Sequence, residues 1–281
     1  MVKKFFIRSF LFLSIGLILF GVSGHFLVSE ARLAKFIFGY DVVLRSQEKT
    51  TKTKLVLGDS VANQIYYEQR NSPDTLVLTS VQGISMIGQY ILMNKVLEAN
   101  PGQIKSMSLV YIPHSFSNNL DQPYTMGNLV SAFFTFENLH YFSRESIWML
   151  ARRPLVFLSL LKFFRTNNLL TIDYTPFNPD PSMPFEPFTR HAAFLSPISS
   201  QYLKLIFDKC AEEKIECKVV GAPIARTANI DFVKFRNSVA SSGLDKEFEH
   251  YFDAVHVLEG ENFVDGVHLT NSALAMYQAK E

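Results

Sequence analysis

Charge is what this chain has least of. Asp, Glu, Lys and Arg together make up 19% of it, the formal net charge is +1, and past the first eight residues no block of lysine and arginine occurs. A nucleic-acid binder needs a basic face against phosphate, so that class of partner is excluded. Cysteine is scarce too, with Cys210 and Cys217 the two present. Their spacing, with no histidine pair beside it, offers no zinc site. It fits either a disulfide across a tight helix-to-strand turn or two buried thiols. Low-complexity tracts and internal repeats are absent.

Hydrophobic residues are plentiful, at 48% of 281, enough to bury a large core. The 26 Phe and 11 Tyr are more than a core of this size calls for, which places many of them at a membrane, in a cleft or against a partner. The N-terminus reads as an address. Lys3, Lys4 and Arg8 precede an apolar segment, Ser9 to Val28, of about 20 residues, long enough to cross a bilayer as a helix. The positive-inside rule then keeps the basic end in the cytoplasm and exports the chain beyond Glu30, to the periplasm or the exterior. A cleaved signal peptide with small residues at Val22-Ser23-Gly24 is the competing reading, and it exports the domain equally.

The chain divides into an anchor (1–30), a juxtamembrane helix and linker (31–53) and a main domain (54–281). In the last, KLVLG, DTLVLTS, SMSLVYIP and CKVVGAPI read as strands. Helices are predicted over SVANQIYYEQR, Met86 to Ala99, Ser200 to Lys214 and Ser272 to Lys280. Strands alternating with helices predict an α/β/α three-layer sandwich on a mostly parallel sheet. An aromatic and proline-rich insertion at about 116–195, with an apolar basic helix around Trp148 to Phe164, interrupts the rhythm. It suits a lid, a polymer-binding wall, a membrane-facing surface or a plain subdomain.

Ligands of open parallel sheets sit beyond the carboxyl ends of the strands. Ser60 is there, in LGDSVANQ, directly after the first strand. Either it is a nucleophile, or Ser60 or Asp59 is the cap of the adjoining helix. A serine needs a base, and ENFVDGVHLTN supplies a candidate: Asp265 stands three residues before His268 in a loop leading to the last helix. Asp265 would hold the imidazole in one tautomer while its other nitrogen faces Ser60.

GDS after the first strand and DGVH before the last helix resemble the first and last blocks of the SGNH (GDSL-type) hydrolase superfamily. More narrowly, the chain is similar to membrane-anchored relatives that work with membrane-bound O-acyltransferases on cell-envelope polymers. The resemblance implies a flavodoxin-like sheet and a triad of Ser60, Asp265 and His268. It also implies an oxyanion hole from the N–H groups of Ser60 and Gly83, and no metal or organic cofactor. It departs at the third block, where such hydrolases present an asparagine. Here YIPHSFSNN puts Pro113, His114 and Ser115 in that place, with Asn118 and Asn119 further on. His114, Ser115 or Asn118 would then have to supply the missing donor. The implied activity is transfer of an acyl group, acetyl foremost, to or from an envelope polysaccharide, with a membrane-bound O-acyltransferase as partner. A carbohydrate esterase or deacetylase with the same triad is the first alternative. A non-catalytic scaffold or glycan-binding module is the second.

Overall fold

In the computed structural model, residues 2–28, 33, 37, 39–80, 83–121, 125–161 and 194–278 are described. The central sheet forms from four short apolar runs. These are β1 (Lys54–Gly58), β2 (Thr75–Thr79), β3 (Ser106–Tyr111) and β4 (Glu216–Gly221), in the order β2-β1-β3-β4. All pairings are parallel, with Gly58 opposite Thr79 on one side and Val110 on the other. Near-continuous burial of β1, β2 and the end of β3 reflects cover on both faces, which parallel sheets require.

Among the described residues the helices of four or more residues are α1 (Val2–Leu27), α2 (Tyr40–Arg45), α3 (Ser60–Ile65), α4 (Met86–Ala99), α5 (Arg144–Ala151) and α6 (Pro197–Glu212), then α7 (Phe232–Ser241), α8 (Tyr251–Ala254) and α9 (Asn271–Gln278). Helices cover both sides of the sheet, with α2, α3, α4, α6 and α8 in contact with its strands, and α4 lies against α6. The expected α/β architecture is therefore present. Among the described residues no helix is long and apolar enough to cross a membrane, so the anchor expected over Ser9 to Val28 is not established by the fold.

Several local expectations change. The helix expected over Ser60–Arg70 stops at Ile65, and a 3-10 turn, Glu68–Asn71, comes next. The helix expected around Trp148 to Phe164 is broken: α5 ends at Ala151 and a 3-10 segment, Pro154–Leu160, takes over because Pro154 has no N–H to continue the ladder. CKVVGAPI is two strands, β4 and the short β5 (Ile224–Ala225), which pairs instead with β6 (Val257–Leu258) after Pro223 ends the first pairing. The later part of the insertion, 162–193, and residues 31, 32, 34–36 and 38 of the juxtamembrane stretch lie outside the described residues; the described part of that stretch carries the short helix α2. Cys210 and Cys217 form a disulfide between the end of α6 and β4.

Among the described residues part of the aromatic surplus goes inward. Phe116, Phe235, Phe248 and Tyr251 pack with centroids 5.1–6.2 Å apart, Phe116 stacked on Phe235 and the other pairs edge-on or tilted, and Tyr111 joins them through Phe116. All five are fully buried. This cluster carries the chain that leaves β3 at the carboxyl edge of the sheet.

Candidate active site

β1 delivers its chain to that carboxyl edge and turns sharply there. A Cβ on Gly58 would lie 2.2 Å from Ala62 Cβ and 2.7 Å from the Val110 carbonyl oxygen, so only glycine lets α3 fold back this closely. Asp59, not Ser60, caps the helix: its Oδ1 accepts the Val61 N–H at 3.0 Å. The cap role is thus taken by a neighbour, which leaves the Ser60 hydroxyl available.

That hydroxyl lies 2.9 Å from His268 Nε2, and His268 Nδ1 lies 2.7 Å from Asp265 Oδ2. An ionised Asp265 has no proton to give, so Nδ1–H donates and Nε2 accepts from Ser60. The Asp265 side chain is 6% exposed, and its Oδ1 accepts the Val267 and His268 N–H groups at 2.9 and 2.7 Å. Gly266 takes the left-handed conformation at φ 80° that this tight loop demands.

Two contacts hold the loop against α3. Gln64 Nε2 donates to the Leu269 carbonyl at 2.7 Å, and Gln64 Oε1 accepts the Leu269 N–H at 2.9 Å. Inside the loop, the Val264 N–H donates to the His268 carbonyl at 2.8 Å. Sequence reading missed Gln64 because its partner lies 205 positions away; only a polar residue one turn beyond the serine hinted at it.

No protein-family model and no curated protein matches this chain.

Burial alone would push the Asp265 carboxyl up, but the hydrogen bonds and charge of His268 outweigh it and hold the carboxyl below its ordinary range. Burial likewise opposes charge on His268, yet the hydrogen bond and charge of Asp265, with Asp59 behind them, raise it above the usual imidazole value. Asp59 is a different case. Burial raises its pKa, and the donors Ser115, Val61 and Ala62 offset this only in part.

The other expected residues fall in several places. Gly83 lies in the segment after β2. A buried chain ties that segment to the end of β1: Gln89 Nε2 donates to the Gly58 carbonyl (3.1 Å) and to Tyr111 Oη, which donates to the Ile84 carbonyl at 2.8 Å. The amides of Ser60 and Gly83 give their N–H groups to no acceptor among the described residues. Ser115 is already engaged, its Oγ donating to Asp59 Oδ2 at 2.7 Å. Asn118 is 9% exposed; its Oδ1 accepts the Leu120 N–H at 2.9 Å, and its carbonyl takes Ser196 and Ser199. Asn119 Oδ1 accepts the Ile198 N–H at 3.3 Å. His114 is half-buried on the 3-10 turn Pro113–Ser117. Ser115 and both asparagines therefore serve local structure.

One carboxamide that the sequence did not single out, Asn128, lies against Gly83. A Cβ on Gly83 would meet Asn128 Nδ2 at 2.5 Å. Asn128 sits inside a π-helical turn, Met126–Val130, a distortion often found at functional sites. Its carbonyl accepts the Ser85 N–H at 3.2 Å, while its side-chain amide has no hydrogen-bond partner among the described residues. A hollow of about 360 Å³ lined by Lys54, Thr75, Ser106, Ser108 and Lys218 is at the opposite, amino end of the strands and takes no part in this arrangement.

Proposed function

We propose that the chain is an SGNH-like serine acyltransferase, exported and held at a membrane, that moves an acyl group, acetyl foremost, on a cell-envelope polysaccharide. The observation that carries this is the unbroken relay from Ser60 Oγ to His268 Nε2 (2.9 Å) and from His268 Nδ1 to Asp265 Oδ2 (2.7 Å). His268 takes the Ser60 proton as Oγ bonds to the donor's carbonyl carbon. The oxyanion rests on the N–H groups of Ser60 and Gly83, with the Asn128 amide as third donor in place of the asparagine missing after β3. Collapse breaks the bond to the leaving group, which receives the proton from His268, and leaves an acyl-serine. A polymer hydroxyl then gives its proton to His268 and takes the acyl group, and Ser60 Oγ is reprotonated. Water in that step turns transfer into hydrolysis.

Export is supported by the basic residues ahead of the Ser9–Val28 apolar run and by the Cys210–Cys217 disulfide, a bond of oxidising compartments. On α1, Phe6, Phe10, Phe12 and Leu13 are more than half exposed, as side chains meant for lipid would be. A membrane-bound O-acyltransferase supplying acyl groups is the partner this reading needs.

A fluorophosphonate probe applied to wild type and Ser60→Ala tests the nucleophile: wild type alone should be labelled, and equal labelling of both would sink the assignment. Acetyl-ester turnover with and without added glycan separates transfer from hydrolysis. A rate indifferent to glycan, with free acetate as product, would favour the esterase. A scaffold role would be left standing if Ser60→Ala restored envelope acylation to deletion cells as well as wild type does.

A further inference from the structure

β2 is the edge strand of the sheet, and two arginines occupy its outer margin. Arg45, the last residue of α2, gives Nη2 to the Val77 carbonyl at 2.8 Å. Arg70, from the 3-10 turn after α3, gives Nη2 to the Thr79 carbonyl at 3.2 Å and to Asn63 Oδ1. Thr79 Oγ1 donates to the same Asn63 oxygen at 3.1 Å. Covering edge carbonyls is a structural task. It uses one nitrogen of each guanidinium and leaves the rest unexplained.

The remainder of the cluster is electrostatically odd. Arg70 Nε is buried with no hydrogen-bond partner. Among the described residues neither guanidinium reaches a carboxylate at ion-pair distance; Arg45 feels Asp41 and Glu48, both exposed, only at longer range. Lys52 Nζ donates to the backbone carbonyl of Arg70 at 3.2 Å. Burial, and after it the charge of Arg70, lowers the pKa of Arg45. Neighbouring half-buried cations without a counter-charge oppose folding, and an anion between them removes that opposition. Arginine's planar fork suits two oxygens of a carboxylate or phosphate. The exposed Tyr67 ring, 5.2 Å from the Arg70 guanidinium carbon, offers a flat apolar face beside it.

The position is adjacent to the nucleophile. Thr79 is opposite Gly58 in the parallel ladder, and Asn63 is one turn along α3 from Ser60. We propose that Arg45 and Arg70 form an anion subsite beside Ser60 that takes a carboxylate or phosphate substituent of the glycan acceptor. This deepens the acyl-transfer reading and rests on it.

The test is calorimetric titration of the full-length Ser60→Ala protein with methyl glucuronide, glucose 6-phosphate and the neutral methyl glucoside. At low salt either charged sugar should bind about tenfold or more tighter than the neutral one, and the tighter of the two names the substituent. Arg45→Gln and Arg70→Gln should each lower that preference, with Arg70→Lys keeping part of it. Because Arg70 also holds Asn63 and Thr79, Arg45→Gln is the safer variant if Arg70→Gln melts early. Equal affinity for charged and neutral sugars overturns the proposal. So does a preference unchanged in Arg45→Gln, or anionic phospholipid vesicles that displace the sugar more effectively than the sugar itself competes. Full acyl transfer by Ser60→Ala would overturn the triad reading instead, a result independent of the titration.

Discussion

Gln64 and Leu269 exchange two hydrogen bonds, side-chain amide to backbone, and thereby fix the histidine loop to the helix that begins at the serine. Removing the amide in Gln64→Ala leaves both Leu269 backbone groups without their partner and lets His268 drift. The expected result is a loss of about 1–3 kcal/mol in stability and a kcat lowered about tenfold or more with little change in KM. Gln64→Glu keeps the acceptor for the Leu269 N–H but loses the donor, and should fall between. Thermal melts and ester hydrolysis by the two variants check this.

The relay predicts an acid limb in the pH–rate profile. His268 works as a base only when neutral, and Asp265 and Asp59 raise its pKa against the effect of burial. The rate should therefore climb with pH through a midpoint above roughly 6.5, the ordinary imidazole value. Asp265→Asn removes the charge and the tautomer lock, so the midpoint should move down and kcat should fall on the order of 10³-fold or more. A midpoint unmoved in Asp265→Asn would contradict the coupling.

Stability depends on the same pair with opposite windows. The Asp265 carboxyl is held below its unfolded value, so its contribution is present above the ordinary carboxylate range and is lost as pH falls through the depressed pKa. His268 is raised, so its contribution is complete below the ordinary imidazole range and is lost as pH rises through the raised pKa. Denaturant midpoints should peak between these limits, and His268→Ala should flatten both slopes.

Gly83 and Asn128 make a sterically coupled pair. Gly83→Ala places a methyl group 2.5 Å from Asn128 Nδ2 and must displace the carboxamide. If that amide faces the oxyanion, Asn128→Ala and Gly83→Ala should each cost about 10²–10³ in kcat, and the double variant little more than either alone. Additive losses in this cycle would separate the two residues' roles.

Asp59 caps α3 and accepts from Ser115 with its second oxygen. Asp59→Asn keeps an oxygen for the Val61 N–H and removes a buried charge, so the fold should tolerate it. Asp59→Ala loses the cap and leaves Ser115 without its partner, at a cost of about 1–3 kcal/mol. Chemical denaturation of both variants measures the difference.

Ser60, Asp265 and His268 were legible because each sits in a short pattern with local meaning: an apolar run ending in GDS, and an aspartate three residues before a histidine. The parallel sheet was legible for a similar reason, since its strands are brief apolar runs between helical segments. Gln64, Asn128 and the arginine pair were not, because the fold alone supplies their partners. Proline misled in the other direction: Pro154 and Pro223 stood in plain view, yet the apolar residues around them suggested continuous elements. Which phenylalanines are buried was not legible, because composition cannot distinguish a ring packed on Tyr251, such as Phe248, from an exposed one such as Phe12.

Ser60 and His268 are separated by 208 positions, and the loop that carries the base comes after every described strand. Synthesis makes the serine 208 residues ahead of the histidine, so the nucleophile stays without its base until every strand of the sheet has been made. A product cut before the 265–268 loop would keep the four strands of the sheet and leave Ser60 without its base.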